Sequence, residues 1–551
     1  MIDSMFDSMI DSIFDECGSV WQCMYNKDSS HQTIGSSQAS PSRTQQSQAE
    51  ASTASSWPDI TQLSLEHNPD IFTIICCNDS FQLALDHDTV KTLVQVCKRI
   101  RPLLSSKVAR FHSWCQKSIL YHPDRQMRIG LTPSDQIAIS LHCKDPVTAD
   151  RSWLVVQADQ GNAAASYFLA KILQVDLAVD QSADKSEAIR QQIFHHLESA
   201  AEAQHPMAHF HLARCYRTGL GVDQDQIKAL ELYRDLADRG MAQAQIALGD
   251  CYEDGDGVDQ DYDTAIEWYS KAADQGSEDG RLHIVFLRAW FSFIGHNVEQ
   301  SDADAFHHWQ EVSTKSSDPV IKPIATHMLG WMHYLGRGTV RDEQKGVRII
   351  RETKSDDFKL GEDECLATSR NRRSDSPAFR KLFELCQLGS DCDWLCKHLM
   401  AVCLHHGFGT TQTREKAAGN FEQLANEGHS DSQLWIGLCY QCGRGVSKDH
   451  KKAFEWYCKS ANQGNPYGQW RVGVCYFCGY GVTQDFTKAV EWYRKSAEQD
   501  NRNGQFSLGE CYKNGWGVPR DIDTAVFWWR KSADQGDRDA ISQLEQLGLW
   551  P

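Results

Sequence analysis

Near its C-terminal end the chain alternates two short blocks of apolar positions, and the pair returns every 36 residues. In the first block Leu434, Gly437 and Tyr440 stand three apart. In the second, Ala453, Trp456, Tyr457, Ser460 and Ala461 follow a three-and-four spacing. Each spacing puts its residues on one face of a helix, so the pattern predicts one helix over about Asp431–Gln441 and another after Asp449. Polar positions punctuate the pair. Gly443-Arg444-Gly445 ends the first helix, because glycine accepts the positive φ of a helix C′ position. Asp449 supplies the N-cap of the second. Gly464 ends that helix, and Asn465-Pro466 opens the next pair, proline being tolerated in a first turn. Gly443, Gly479 and Gly515 keep the 36-residue spacing, as do Tyr440, Tyr476 and Tyr512, Asp449, Asp485 and Asp521, and Trp456, Trp492 and Trp528. A period of this length predicts a solenoid of stacked helix pairs, with the Trp and Tyr filling the space between units.

Written as one unit, LGxCYxxGxGVxxDxxxAxxWYxKSAxxG resembles the Sel1-like repeat, a relative of the tetratricopeptide repeat, and several of its positions recur in each of five units. The resemblance implies an all-α fold, an α/α solenoid superhelix of helix-turn-helix repeats that displays a surface for protein partners. It implies no reaction, no cofactor and no metal. In the related tetratricopeptide superhelix the first helices line the concave face.

Taken in order, residues 1–28 begin with Ile2, Met5, Phe6, Met9, Ile10, Ile13 and Phe14 at helical spacing, with Asp3, Asp7, Asp11 and Asp15 between them. This is an acidic amphipathic tail, able to dock on a partner or on the solenoid itself. In the 29–56 linker 18 of 28 residues are Ser, Thr or Gln, too few apolar groups to offset chain entropy, so disorder is expected. Residues 57–146 read as a helical N-terminal region. Within it Tyr121-His122-Pro123-Asp124-Arg125 resembles the His-Pro-Asp motif of J-domain co-chaperones, although Lys117 stands where that family has an apolar residue and no third helix follows. A plain proline-terminated helix accounts for the same residues. A first repeat array spans 147–354, with degenerate units at 162–205 and 277–317. Residues 355–376 form a polar insertion loop carrying Arg370, Arg372, Arg373, Ser374 and Ser376-Pro377, expected to be solvated, with a phosphorylation site or a short basic address as the alternatives. A second array covers 377–536, and 537–551 read as a capping helix.

Charge narrows the partners. The net charge of −18 over 551 residues disfavours nonspecific binding to nucleic acid or to anionic membranes. No apolar run reaches the ~18 residues of a spanning helix. The acidic N-terminus does not read as a signal peptide. Of the 20 cysteines, Cys215, Cys251, Cys403, Cys439, Cys475 and Cys511 share one position in the repeat, which Met332 occupies in another unit. Exchange with Met marks a small apolar core slot, and with it reduced thiols and a cytoplasmic protein.

Cys439-x-x-Cys442 and Cys475-x-x-Cys478 could suggest a four-thiol zinc site. Equivalent positions in stacked units lie roughly 8–10 Å apart, too far to share one ion at ~2.3 Å from each sulfur. His195-His196, His307-His308 and His405-His406 do not repeat one position and read as surface or satisfied histidines. There is no phosphate loop, kinase signature or nucleophile elbow, so no catalytic residue is assigned.

The candidate site comes from what varies among units. Along each first helix one stripe of positions, three apart, changes from repeat to repeat: Trp435, Leu438 and Gln441, then Arg471, Val474 and Phe477, then Ser507, Glu510 and Lys513. Trp435, Leu438, Val474 and Phe477 would make an apolar patch rimmed by Arg471, Glu510 and Lys513, the composition of a partner site. The expected function is a non-catalytic scaffold or adaptor whose groove holds protein partners. The rival readings are a chaperone-linked factor using the His122-Pro123-Asp124 segment, a member of the luminal quality-control class that shares these repeats, and a regulatory subunit of a membrane-bound enzyme similar to the fungal chitin-synthase activators.

Overall fold

The structure is a computed structural model, and it describes residues 150–550 apart from 180–182 and 368–373, together with parts of the stretch 110–143. The acidic tail, the Ser/Gln-rich linker and His122-Pro123-Asp124 lie outside the described residues. Backbone proximity divides the chain into two compact units. One ends at Cys251 and takes Gly255–Gln260; the other takes Tyr252–Asp254 and everything from Asp261.

The first unit begins on an aromatic core. Phe111, Trp114, Cys115 and Leu120 pack on Phe168, Leu169 and Ile172 of the Ala163–Val179 helix, and Trp153 meets Trp114 edge to face at 5.3 Å. Helices Ala183–Glu202, Pro206–Thr218 and Gln226–Asp238 follow, each against its predecessor. His205 accepts the backbone N–H of Ala208 as the N-cap of the second of these, while its other ring nitrogen pairs with buried Asp135 at 3.0 Å.

In the second unit the helix pairs predicted from the spacing are present: Ser430–Cys442 with His450–Asn462, Pro466–Cys478 with Phe486–Glu498, and Arg502–Asn514 with Ile522–Asp534. Asp449, Asp485 and Asp521 each cap a second helix through the side chain, and each sends its own N–H back to the tyrosine carbonyl of the preceding helix at 2.9 Å. Between units a glutamine ladder sets the register. Buried Gln469 and Gln505 donate to Ala461 and Ala497 of the previous unit and accept from Gln499 and Gln535 of their own. The small slot of the first helix is a close approach, for a Cβ on Gly473 would sit 2.5 Å from the Tyr493 ring.

The two glycines of the turn differ in kind. Gly479 takes φ 75° as the helix cap, and a Cβ there would meet nothing nearer than 3.6 Å. Gly481 also has positive φ, and its Cβ would lie 2.0 Å from the His450 carbonyl at the start of the previous second helix. The second glycine is therefore where one unit's turn rests on its neighbour's backbone. In the degenerate unit after Ser277, Asn297 occupies that place with φ 54° and the Glu278–Ile294 helix runs to 17 residues, one turn longer than the usual 13.

The packing role expected for both repeat aromatics holds only for the second. Tyr457, Tyr493 and Trp529 are buried. Trp456 and Trp492 are half-exposed, each covered by the lysine three residues on, with Lys459 Nζ 3.7 Å and Lys495 Nζ 4.2 Å from the ring. The shared cysteine slot is buried throughout: Cys215, Cys251, Cys403, Cys439, Cys475 and Cys511, as is Met332.

Candidate functional site

Successive first helices of the second unit touch one another, Ser430–Cys442 against Pro466–Cys478 and the latter against Arg502–Asn514, whereas their second helices do not approach as closely. The first helices thus form the inner row, and the variable stripe belongs to it.

The structure divides that stripe. Trp435 is fully buried, stacked on Phe421 at 5.1 Å with its indole N–H donated to the Cys365 carbonyl at 2.7 Å. Leu438 is buried too. The four-residue exposed apolar patch expected from the spacing is therefore absent, because the chain itself covers two of its members. The rest stay half-exposed. Gln441 accepts the Tyr457 hydroxyl at 2.6 Å, and the Arg471 guanidinium lies over Trp470 at 4.4 Å. Val474 and Phe477 border the Tyr493 core, and Phe477 also meets Phe486 at 5.2 Å and Trp516 at 5.1 Å. Burial raises the Glu510 carboxyl above its usual range. Lys513 donates to Gln543 at 2.6 Å.

What covers Trp435 is the stretch expected to be a solvated loop. Phe358, Leu360, Cys365 and Leu366 are completely buried, and Glu362 and Glu364 are 2% and 3% exposed. Glu362 receives the Tyr467 hydroxyl at 2.8 Å and the Arg351 Nε at 2.7 Å, with Arg502 Nε at 3.4 Å. Asp363 pairs with Arg502 at 2.6 Å, and Glu364 with Lys354 at 2.7 Å. The Glu364 carbonyl accepts from His406 Nε2 at 3.2 Å. Ring stacking continues the anchor, Phe358 on Phe379 at 4.9 Å and Phe379 on Phe408 at 4.5 Å. Ser376 caps the Pro377–Gly389 helix, while Arg370, Arg372 and Arg373 lie outside the described residues. The available signal for this burial was four apolar residues among charged ones; the cations that neutralise the carboxylates are up to 140 positions away.

Around the insertion the core is rich in histidine. His405 and His406 are buried, unlike exposed His195 and His307. Burial pushes His327, His398 and His405 down to about 3 and His406 to about 4, so all four are neutral near pH 7. Burial also raises the Cys365 thiol well above its usual value. Among the described residues the His, Cys, Asp and Glu side chains grouped closely enough to hold one ion are Asp250, Glu253 and His283.

The family model for the Sel1 repeat matches residues 206–241, 242–277, 323–349, 395–429, 430–465, 466–501 and 503–537. The chain carries seven Sel1 repeats. Proteins of this repeat class are typically protein-interaction scaffolds. Solved structures similar to this Sel1 chain include c5321, a protective antigen of uropathogenic Escherichia coli with an SLR fold, at 26% identity over 75% of this chain and 90% of that one, TM-score 0.33. A Sel1 repeat protein from Oxalobacter formigenes matches at 24% identity over 72% and 89%, TM-score 0.26. Cysteine rich protein B of Helicobacter pylori matches at 23% over 24% and 98%, TM-score 0.22. No curated protein matches the chain. No helix among the described residues is long and apolar enough to cross a membrane. The Sel1 matches stop at residue 349 and resume at 395, so the segment over Trp435 is an addition to the repeat.

Proposed function

We propose that this Sel1 chain is a non-catalytic adaptor that holds a protein partner along the inner row of first helices, on the part of the stripe its own insertion leaves open. The observation that carries the reading is the contact of half-exposed Phe477 with Trp516, the latter 36% exposed, on a first-helix row that also carries half-exposed Arg471, Glu510 and Lys513. Aromatic and arginine anchors with a mixed-charge rim are the usual composition of a partner site. The apolar cysteine slot, shared with Met332, supports a cytoplasmic setting, where thiols stay reduced. The test is the double change Phe477→Ala with Trp516→Ala in the full chain. Partner recovery by affinity purification should be lost while helicity and melting stay close to wild type; unchanged recovery would refute the site.

A further inference from the structure

The carboxylates of Glu362, Asp363 and Glu364 are met by side chains from separate repeats: Arg351 and Lys354 at the end of one, Tyr467 at the start of another, Arg502 at the start of the next. The backbone is met as well. The segment closes into a short helical turn over Asp363–Ala367, and Trp435 and His406 donate to its Cys365 and Glu364 carbonyls, contacts such a turn could receive whatever its side chains. This combination, backbone read by fixed donors and acidic side chains read by cations, is how a groove holds a short peptide segment. The segment is also foreign to the array, falling between two Sel1 matches. And the array has charge to spare for it: residues 430–537 hold 14 Lys and Arg against 12 Asp and Glu, in a chain of net charge −18.

We propose that residues 361–366 are an intramolecular ligand, seated in a peptide site whose lining takes an acidic helical turn of a protein partner. This rests on the reading that the first-helix row binds partners, and it adds to the open Phe477–Trp516 part of that row a second, separate site, with its own partner chemistry and the competitor that occupies it. Phe358, stacked on Phe379, keeps the insertion tethered when the acidic stretch lifts away. The Asp363 side chain, 44% exposed, and Lys354, 33% exposed, form the edge at which an incoming carboxylate begins the exchange.

The test uses the full chain and a fluorescein-labelled synthetic peptide copying residues 358–367. Wild type should bind it weakly. The variant Glu362→Gln with Glu364→Gln, which loosens the internal segment, should bind at least tenfold more tightly, and adding Arg502→Gln should remove that gain. A copy of the peptide with glutamine for all three acidic residues should not bind. If the double variant does not fold, Asp363→Lys keeps the proposal testable, since that side chain is half in water; it should raise peptide affinity about threefold. A folded double or Asp363→Lys variant that binds no better than wild type would show the segment to be permanent filler and overturn the proposal. Phe477→Ala with Trp516→Ala should leave peptide binding unchanged, so failure here is distinguishable from failure of the partner site above.

Discussion

The three regular repeats from 430 to 537 and the stretch from 321 to 408 with its insertion solve the same packing problem differently. In the regular repeats the buried polar side chains are Gln, Asn and Ser, with Asp431 at their edge as the one carboxylate, and the glutamines pair at a recurring offset. Gln499 to Gln469 and Gln535 to Gln505 are both 30 residues apart. In the 321–408 stretch ionisable groups are buried: His327, His398, His405, His406, Glu362 and Glu364. The offsets there are irregular: Glu362 is met by Arg351 from 11 residues away and by Tyr467 from 105, and Glu364 by Lys354 from 10. Regular packing is tolerant because every contact is local and repeated. Irregular packing is specific because each buried charge needs one particular partner, and losing it leaves the other unpaired.

The largest way to break this comparison is acid. The four buried histidines have folded values near 3 to 4, below the unfolded value of 6.5, so the unfolded chain takes up protons first. Their neutral burial is fully tolerated above pH 6.5, and stability falls as pH drops through 6.5 toward 4. Summed over the four, the loss between pH 7.5 and 5.5 is on the order of 5 kcal/mol. Hydrogen exchange at the two pH values should show 321–408 opening first and 430–537 keeping its protection. Equal loss in both would remove the distinction.

Next comes the divided stripe. Trp435→Ala should cost about 4 kcal/mol in denaturant unfolding, since it empties a closed site and frees the Cys365 carbonyl. Phe477→Ala, at a half-exposed site, should cost about 1 kcal/mol. Similar costs would mean that both belong to one surface.

Within the regular repeats the two glycines separate strain from collision. Gly481→Ala should cost about 3 kcal/mol, because its Cβ would fall 2.0 Å from the His450 carbonyl and push two units apart. Gly479→Ala should cost about 1 kcal/mol, the strain of a left-handed residue with room around it. The smallest effect is expected at the surface. Lys495→Ala should change the melting temperature by no more than a degree or two, an exposed cation over a ring being worth about 0.5 kcal/mol.

Much of the fold was legible in the spacing, because the interactions that build a unit are near in sequence. The turn glycines, the Asp caps, the cysteine slot and the helix faces are set within a few positions of one another, and repetition shows them several times. The stripe was half legible. Variation at Trp435, Arg471 and Ser507 identifies positions released from the common packing. It does not distinguish a residue facing water from one facing a neighbour that only its own unit has. Trp435 is of the second kind, and its neighbour lies 70 residues away.

The amino-acid order by itself determined the helix pairs, their caps and the period at which they stack, since propensity, glycine conformation and apolar spacing act over one or two turns. Tertiary structure alone decided that the stretch from Phe358 to Leu366, with its buried Glu362 and Glu364, packs inside rather than in water. Nothing local favours burying Glu362 and Glu364. Their burial is tolerated only because Arg351, Lys354, Tyr467 and Arg502 converge on them once the repeats have stacked.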